Sequence, residues 1–290
     1  MVEYRNLGHV QIVPSSESEP SLVYYLPHHG VLREQSLTTK LRVVFNGSSP
    51  TTTGVSLNDL LHTGAKLQID LFDVLLWFRL FLYVFIADIE KMFRQMKVDP
   101  SDWDYQRIFW LDSLSQITTF ALTTVTYGQV CSPFLAIRAL VQLIKDEGHR
   151  YPLAIPIMEK GRYVDEFHGG ADSIQETQNK VAHLDKLCMA GGFLLKKWMS
   201  NHPDVLENIP PDRKITSHSI SFNKDETVHV LELSWNALTD SFEFTFELPT
   251  LTTITKRTVM STIAKFFDPM GFFVACYYCR QDICARVMVN

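Results

Sequence analysis

Tyr163-Val164-Asp165-Glu166 sets two carboxylates side by side behind an aromatic and an aliphatic residue. With Val164 and Phe167 as neighbours, the pair reads as carried by a strand entering a tight turn. Adjacent carboxylates repel one another and lose hydration when partly buried. A divalent cation offsets both costs, and hard, oxygen-liganded Mg²⁺ suits carboxylates best. An exposed acidic turn is the competing reading of the pair taken alone. A further carboxylate, Asp88, follows the apolar run Leu82-Tyr-Val-Phe-Ile-Ala87. The two sites are far apart in the chain, so only folding brings them together. Carboxylates on neighbouring strands are the minimum for a metal pair, roughly 3.5–4 Å apart, that serves both attacking and leaving oxygens in phosphoryl or nucleotidyl transfer. An Asp that merely caps a strand end is the alternative.

The elements that must position these groups follow from local pattern. Residues 1–20 are polar, and Ser15-Ser-Glu-Ser-Glu-Pro20 reads as a flexible lead-in. A short strand is expected over Leu22 to Leu26, stopped by Pro27, and a second over Lys40 to Phe45. Asn46 to Gly54 is a loop, after which Ser56 or Asn58 caps a helical pattern. A helix is expected over Leu67 to Phe78. Leu82 to Ala87 is continuously apolar, as in a strand buried on both faces, and delivers Asp88 to its end. Thr118 to Thr126 reads as strand, Tyr127-Gly128 as a break, and Pro133 opens a helix that ends at Gly148. Arg162 to Phe167 is the strand bearing the acidic pair. Gly169-Gly170 permits a turn or a close backbone approach. Ser173 and Glu176 form a capping-box pattern for a helix to about Ala190, and Phe193 to Trp198 returns as strand. Thr227 to Trp235 and Ser241 to Leu248 read as a hairpin, and Thr255 to Phe267 as an amphipathic helix.

Bulk properties bound the function classes. At 290 residues and 46% hydrophobic content the chain can bury one large core or two modest ones. A net charge of −5 argues weakly against a nucleic-acid binder but leaves room for a locally basic groove. The five cysteines are scattered and odd in number, which fits a reducing, cytoplasmic setting better than a disulfide framework. Cys276 and Cys279 have CxxC spacing without a second Cys/His pair nearby. Met1 to Gln11 lacks the apolar core of a signal peptide. Leu71 to Ile86 is broken by Asp73 and Arg79 and is short for a bilayer, so no membrane partner is expected.

Ordered blocks of the chain carry a resemblance. They are Tyr24-Tyr-Leu-Pro-His-His29, Thr38-Thr-Lys-Leu-Arg-Val-Val-Phe45, Ser56-Leu-Asn-Asp59, Ala87-Asp-Ile-Glu-Lys-Met-Phe-Arg-Gln95 and Asp104-Tyr-Gln-Arg107. They continue with Thr124-Val-Thr-Tyr-Gly128, Ser132-Pro-Phe-Leu-Ala-Ile-Arg138, Tyr163-Val-Asp165, Lys197-Trp198 with Ser200-Asn201, and Phe267-Asp-Pro-Met-Gly271. Together they span roughly residues 7–275, and the chain resembles the reverse transcriptase of a BEL/Pao-type LTR retrotransposon polyprotein. The resemblance implies an α+β right-hand polymerase fold, with the carboxylates on a central antiparallel palm sheet. Residues 21–200 would form fingers and palm, and 201–290 a primer-grip hairpin with a truncated thumb or connection.

The implied roles are specific. Asp88, Asp165 and Glu166 would be the catalytic carboxylates, and with the Ile89 carbonyl they would hold Mg²⁺ or Mn²⁺. Phe93 would stand beneath the sugar of the incoming dNTP and exclude a 2′-hydroxyl by steric clash. Lys40 and Arg42 lie in the fingers, where Arg42 is the better triphosphate ligand because its planar fork matches phosphate oxygens. Gly128, Ser132 and Pro133 would pack below the nascent base pair, Tyr163 would touch the primer end, and Lys196 or Lys197 would sit near the pyrophosphate leaving group. The Val230-to-Asn236 turn would be the primer grip. The partners would be an RNA or DNA template–primer and a dNTP.

Several positions depart from the family pattern. Glu166 stands where the second Asp is usual, and its extra methylene moves the carboxylate by roughly 1.5 Å. Asn46 replaces an Asp, Glu232 a Gly, and the stretch Leu80-Phe-Leu-Tyr83 is apolar where a short polar turn is usual. His168 reads as a surface histidine. No Asp-Thr-Gly or Asp-Ser-Gly is present, so no retropepsin site is expected. A catalytically degenerate relative of the same fold, a nucleic-acid-binding protein without turnover, and a metal-dependent nuclease are the rival readings.

Overall fold

The computed structural model describes residues 1–14, 22–32, 41–111, 116–215, 219–221, 231–246, 255, 257–258 and 270–271. In chain order the elements are α1 (Val2–Asn6), β1 (Val10–Ile12), β2 (His28–Leu32), β3 (Leu41–Phe45), α2 (Leu57–Leu60), α3 (Leu71–Phe78) and β4 (Tyr83–Ile89). They continue with β5 (Arg107–Leu111), β6 (Ile117–Leu122), α4 (Ser132–Glu147), α5 (Ile155–Lys160), β7 (Arg162–Tyr163), β8 (Glu166–Ala171), α6 (Ile174–Ala190), β9 (Leu195–Ser200), β10 (Ser219–Ser221), β11 (Leu231–Asn236) and β12 (Ser241–Phe246). Short 3₁₀ turns link several of them, among them Met92–Gln95 and Pro100–Gln106. The class is mixed α+β with several small antiparallel sheets.

The chain divides into two compact units. The first comprises Met1–Gln68, Ile89–Glu159 and Leu184–Leu194. Its sheets are β1-β6-β5 and β2-β3. Tyr4, Val10, Leu26, Phe45, Leu57, Ile108, Phe120 and Leu122 form a shared core. Ser56 caps α2 with a capping box closed by Asp59. Pro133 sits in the first turn of α4, and Gly148 ends it. Part of the polar lead-in is structured. Val2–Asn6 is helical, and Val10–Ile12 pairs with Leu122–Phe120 because Tyr4 and Val10 supply buried anchors to an otherwise polar stretch. The strand expected before Pro27 lies after it. Leu26 N–H donates to the Arg107 carbonyl, and Tyr25 makes a lone bridge to Arg107, so these residues lean on another segment. The ladder with β3 begins only at His28.

The second unit comprises Ile69–Asp88, Lys160–His183 and Leu195–Asn290, with sheet orders β7-β8-β4-β9 and β10-β11-β12. Asp70 accepts from Phe72 N–H and caps α3 three residues later than the apolar pattern begins. β4 is buried along nearly its whole length, which is why its sequence is a continuous apolar run. Val84 and Ile86 pack with Leu71, Leu75, Phe78, Met199, Leu233 and Trp235 in one cluster. Phe85 alternates to the opposite face, where its ring lies 5.8 Å from that of Trp198. The stretch expected as one strand over Arg162 to Phe167 is a hairpin instead. β7 and β8 meet across Tyr163↔Glu166, with Val164 and Asp165 as its loop. Gly170 makes no turn. It lies inside β8, where a Cβ would stand only 2.4 Å from the Tyr83 carbonyl oxygen.

Most of the helix expected over Thr255 to Phe267 lies outside the described residues, as do the CxxC pair and the block beginning at Phe267. Among the described residues no helix is long and apolar enough to cross a membrane.

Candidate active site

Strand register decides which carboxylates meet. β4 and β8 are antiparallel, and their ladder ends on Asp88 opposite Glu166. Side chains directly opposite in such a pair project from the same face with Cβ atoms about 5 Å apart. Tyr163 is opposite Glu166 on the other side, so Tyr163, Glu166 and Asp88 form one row across three strands. Both carboxylate residues are more than nine-tenths buried, Asp88 at 9% and Glu166 at 8% exposure. From β9, the Lys197 ammonium reaches Asp88 Oδ2 at 3.2 Å, with about half of the lysine side chain still in solvent. Two buried carboxylates thus lie beside one accessible cation.

Asp165 is held differently. It occupies the second loop position of the β7–β8 hairpin, and the first, Val164, has φ 53°. A positive φ at the first position of a two-residue loop is what primed hairpin turns demand, and Gly or Asn normally supplies it. For a β-branched residue this region costs about 1–3 kcal/mol and persists only when the surroundings over-determine it. The strands on either side of the tip supply that constraint. Lys197, the partner of Asp88, has φ 54° inside β9 and is a second residue in the left-handed region.

His168 lies on β8 one side-chain period beyond Glu166, opposite Ile86. It is fully buried, not a surface residue. Period two puts it on the face that α3 covers, edge-on to Phe78 with ring centroids 5.6 Å apart. Its Nδ1 lies 3.2 Å from the Gly161 carbonyl and its Nε2 3.9 Å from Glu166 Oε2. Its own carbonyl accepts from Trp77 Nε1 at 3.2 Å. Arg162, opposite Phe167, is also buried, and loss of hydration pushes its guanidinium pKa below the usual value.

Most of the remaining candidates belong to the first unit. Ile89 is the buried last residue of β4, and Phe93 sits half-buried in the Met92–Gln95 turn. Arg42 is exposed on β3, with its guanidinium 6.0 Å from the Tyr127 ring centre. Gly128 has φ 93°, and a Cβ there would meet the Phe45 carbonyl oxygen, so the position demands glycine on two counts. Ser132 is buried and donates from Oγ to the Thr126 carbonyl at the start of α4, next to Pro133. Asn46 closes the turn after β3 by accepting from Ser48 N–H. Lys40 lies outside the described residues. The hairpin expected in the second unit is present as β11 paired with β12, so the primer-grip segment expected as a turn from Val230 to Asn236 is strand over Leu231–Asn236. The turn follows it at Ala237–Asp240, and Glu232 pairs with Thr245 in the ladder.

The expected partner of Asp88 is Asp165, whereas the register sets Asp88 against Glu166. His168, expected at the surface, is buried, and no local pattern points to Gly161. The alternation of β8 from Glu166 onward was the available signal, hidden by treating residues 162–167 as one strand. Among the described residues no group of three or more His, Cys, Asp and Glu side chains is gathered as a metal cluster. Asp88 and Glu166, opposite one another in the ladder, are of the residue type that Mg²⁺ takes, commonly one or two carboxylates with water and substrate phosphate completing the shell.

Comparison of the chain with protein-family models and with curated proteins finds no match.

Proposed function

We propose that this chain is an RNA-directed DNA polymerase domain of the BEL/Pao reverse-transcriptase type, extending a primer 3′-hydroxyl with dNTPs on a nucleic-acid template. The observation that carries the reading is the directly opposed pair Asp88 and Glu166 on adjacent antiparallel strands, with Asp165 at the neighbouring hairpin tip. Mg²⁺ or Mn²⁺ held by Asp88, the Ile89 carbonyl, Asp165 and Glu166 would acidify the primer hydroxyl and neutralise the triphosphate. Tyr163, in the same row as the carboxylates, would bear on the primer end. Lys197, already paired with Asp88, has the exposed cation that a departing pyrophosphate needs. Arg42 and Lys40 would bind the triphosphate, Phe93 would exclude ribose, and Gly128, Ser132 and Pro133 would support the template base. Template affinity would rest on phosphate contacts and fall with salt.

Primer extension on poly(rA)/oligo(dT) tests the reading. Folded wild-type protein incorporates dTTP with Mg²⁺ or Mn²⁺, and Asp88→Ala abolishes incorporation. Absence of incorporation by folded wild-type protein with either metal refutes it. A second reading, a nucleic-acid binder of the same fold without turnover, is favoured by Glu166, whose longer side chain lies near His168. Salt-dependent primer–template binding that survives Asp88→Ala, with no turnover in either protein, would select it.

A further inference from the structure

The turn that carries Phe93 is a single 3₁₀ turn, Met92–Gln95, entered through Lys91 at φ 53°. Such a turn has little hydrogen bonding of its own. Gln95 Nε2 donates to the Glu90 carbonyl at 3.0 Å and Arg94 N–H to the Lys91 carbonyl at 2.8 Å. Met96 N–H donates to the Phe93 carbonyl, Val125 N–H donates to the Met96 carbonyl, and further contacts come from the N-terminal segment. Lys91 Nζ lies 2.8 Å from Glu3 Oε1, and Arg94 Nη2 lies 3.4 Å from the same oxygen. The Arg94 guanidinium stands 3.9 Å over the Tyr4 ring, and Arg94 Nε donates to His9 Nδ1 at 3.0 Å. The segment is itself anchored, since Thr123 N–H donates to the His9 carbonyl and Thr123 Oγ1 to the Gly8 carbonyl. His9 and the Arg94 side chain are both largely withdrawn from water, so the contact between them is worth more than the pairs to the exposed Glu3.

We propose that His9 and Arg94 are positioning residues that latch the Phe93 turn to the N-terminal segment and so set the sugar discrimination of the polymerase. The sugar-discrimination half rests on the reading given above, whereas the latch does not.

The chemistry of the contact makes it sensitive to protonation. Arginine keeps its proton throughout the accessible range, so Nε is always the donor and His9 Nδ1 must accept. Protonated His9 would present a second cation to Arg94. The charged groups facing His9 are Arg94 and Lys91, which disfavour its protonation, and Glu3, which favours it. The Tyr4 ring is edge-on at 6.3 Å. Burial is the largest influence, and the net effect holds the imidazole pKa below its ordinary value. The latch is therefore complete above the ordinary histidine range and is lost as pH falls through the lowered native value.

Amide hydrogen exchange of residues 92–96 in the full chain, measured with dTTP-over-UTP incorporation, tests the proposal. His9→Asn keeps an acceptor near the Nδ1 position but does not titrate, whereas His9→Phe removes the acceptor. Wild-type protection of residues 92–96 should fall about tenfold between about pH 7.5 and about pH 5, after correction for intrinsic rates. His9→Asn should stay protected across the range, and His9→Phe should be unprotected throughout. Discrimination against UTP should drop about tenfold in His9→Phe and persist in His9→Asn. Protection in His9→Phe equal to wild type, or a wild-type pH step in His9→Asn, overturns the latch. If His9→Phe fails to fold, the His9→Asn pH profile decides alone. Unchanged UTP discrimination in an active, unlatched variant overturns the link to Phe93. A wild type that incorporates nothing refutes the polymerase reading, and exchange still decides the latch.

Discussion

Gly161 marks the closest approach in the support of the carboxylate hairpin, and Gly161→Ala should damage both stability and chemistry. A Cβ there would stand 1.9 Å from the His168 carbonyl oxygen and 2.9 Å from Trp77 Nε1. Real Cβ contacts lie above 3.0 Å, so the backbone must open by more than an ångström. That movement strains His168 N–H to Gly161 O at 2.7 Å and Trp77 Nε1 to His168 O at 3.2 Å. Overpacking of this kind costs about 1–3 kcal/mol and one lost hydrogen bond about 1 more, giving about 2–4 kcal/mol in all. The φ of Gly161 lies outside the left-handed region, so the cost is steric. Gly192 is the matched control, because its φ is 77° and no atom lies within 4 Å of its Cβ position. Gly192→Ala should cost only about 1 kcal/mol of backbone strain. Urea unfolding followed by tryptophan fluorescence reads both, since Trp198 and Trp235 are fully buried. In primer extension, a displacement near 1 Å at the hairpin should lower turnover about a hundredfold. A Gly161→Ala unfolding midpoint equal to wild type, or a loss smaller than that of Gly192→Ala, refutes the argument.

Other expectations follow from the same geometry. If the opposed carboxylates hold Mg²⁺, saturating MgCl₂ at a hundred times Kd should stabilise wild-type protein by about 2.7 kcal/mol, and thermal melting of Asp88→Asn should show no such gain. Glu166→Asp shortens the side chain by one methylene and draws the carboxylate away from His168, so dTTP incorporation should rise, by up to about a hundredfold, in single-turnover assays. Lys197→Met should cost less than about 1 kcal/mol in urea unfolding, because the lysine is half exposed and its pairing with Asp88 is screened by water. Burial pushes the Cys131 thiol pKa up, so its alkylation in native protein should need higher pH than in unfolded protein, and stability should decline as pH rises above the ordinary thiol range.

Sequence by itself determined the elements whose burial is complete or whose caps are local. Leu82 to Ala87 announced β4 because a strand covered on both faces has no polar alternation to mask it. Ser56 with Asp59, Pro133 and Gly148 are caps whose chemistry acts within a few residues, so α2 and α4 were legible. The α1–β1 segment was not, because its polar composition hides the few anchors, Tyr4 and Val10, that hold it. The candidate site was legible as residue types only. Which carboxylate faces Asp88 depends on the register between two strands far apart in sequence, and a slip of one residue would turn Asp165 inward and Glu166 outward. Tertiary structure alone settled that it is Glu166, that His168 is buried beside it, and that Gly161 permits the approach. Such facts arise from packing between distant segments, where the available space is fixed by side chains that no local pattern reports.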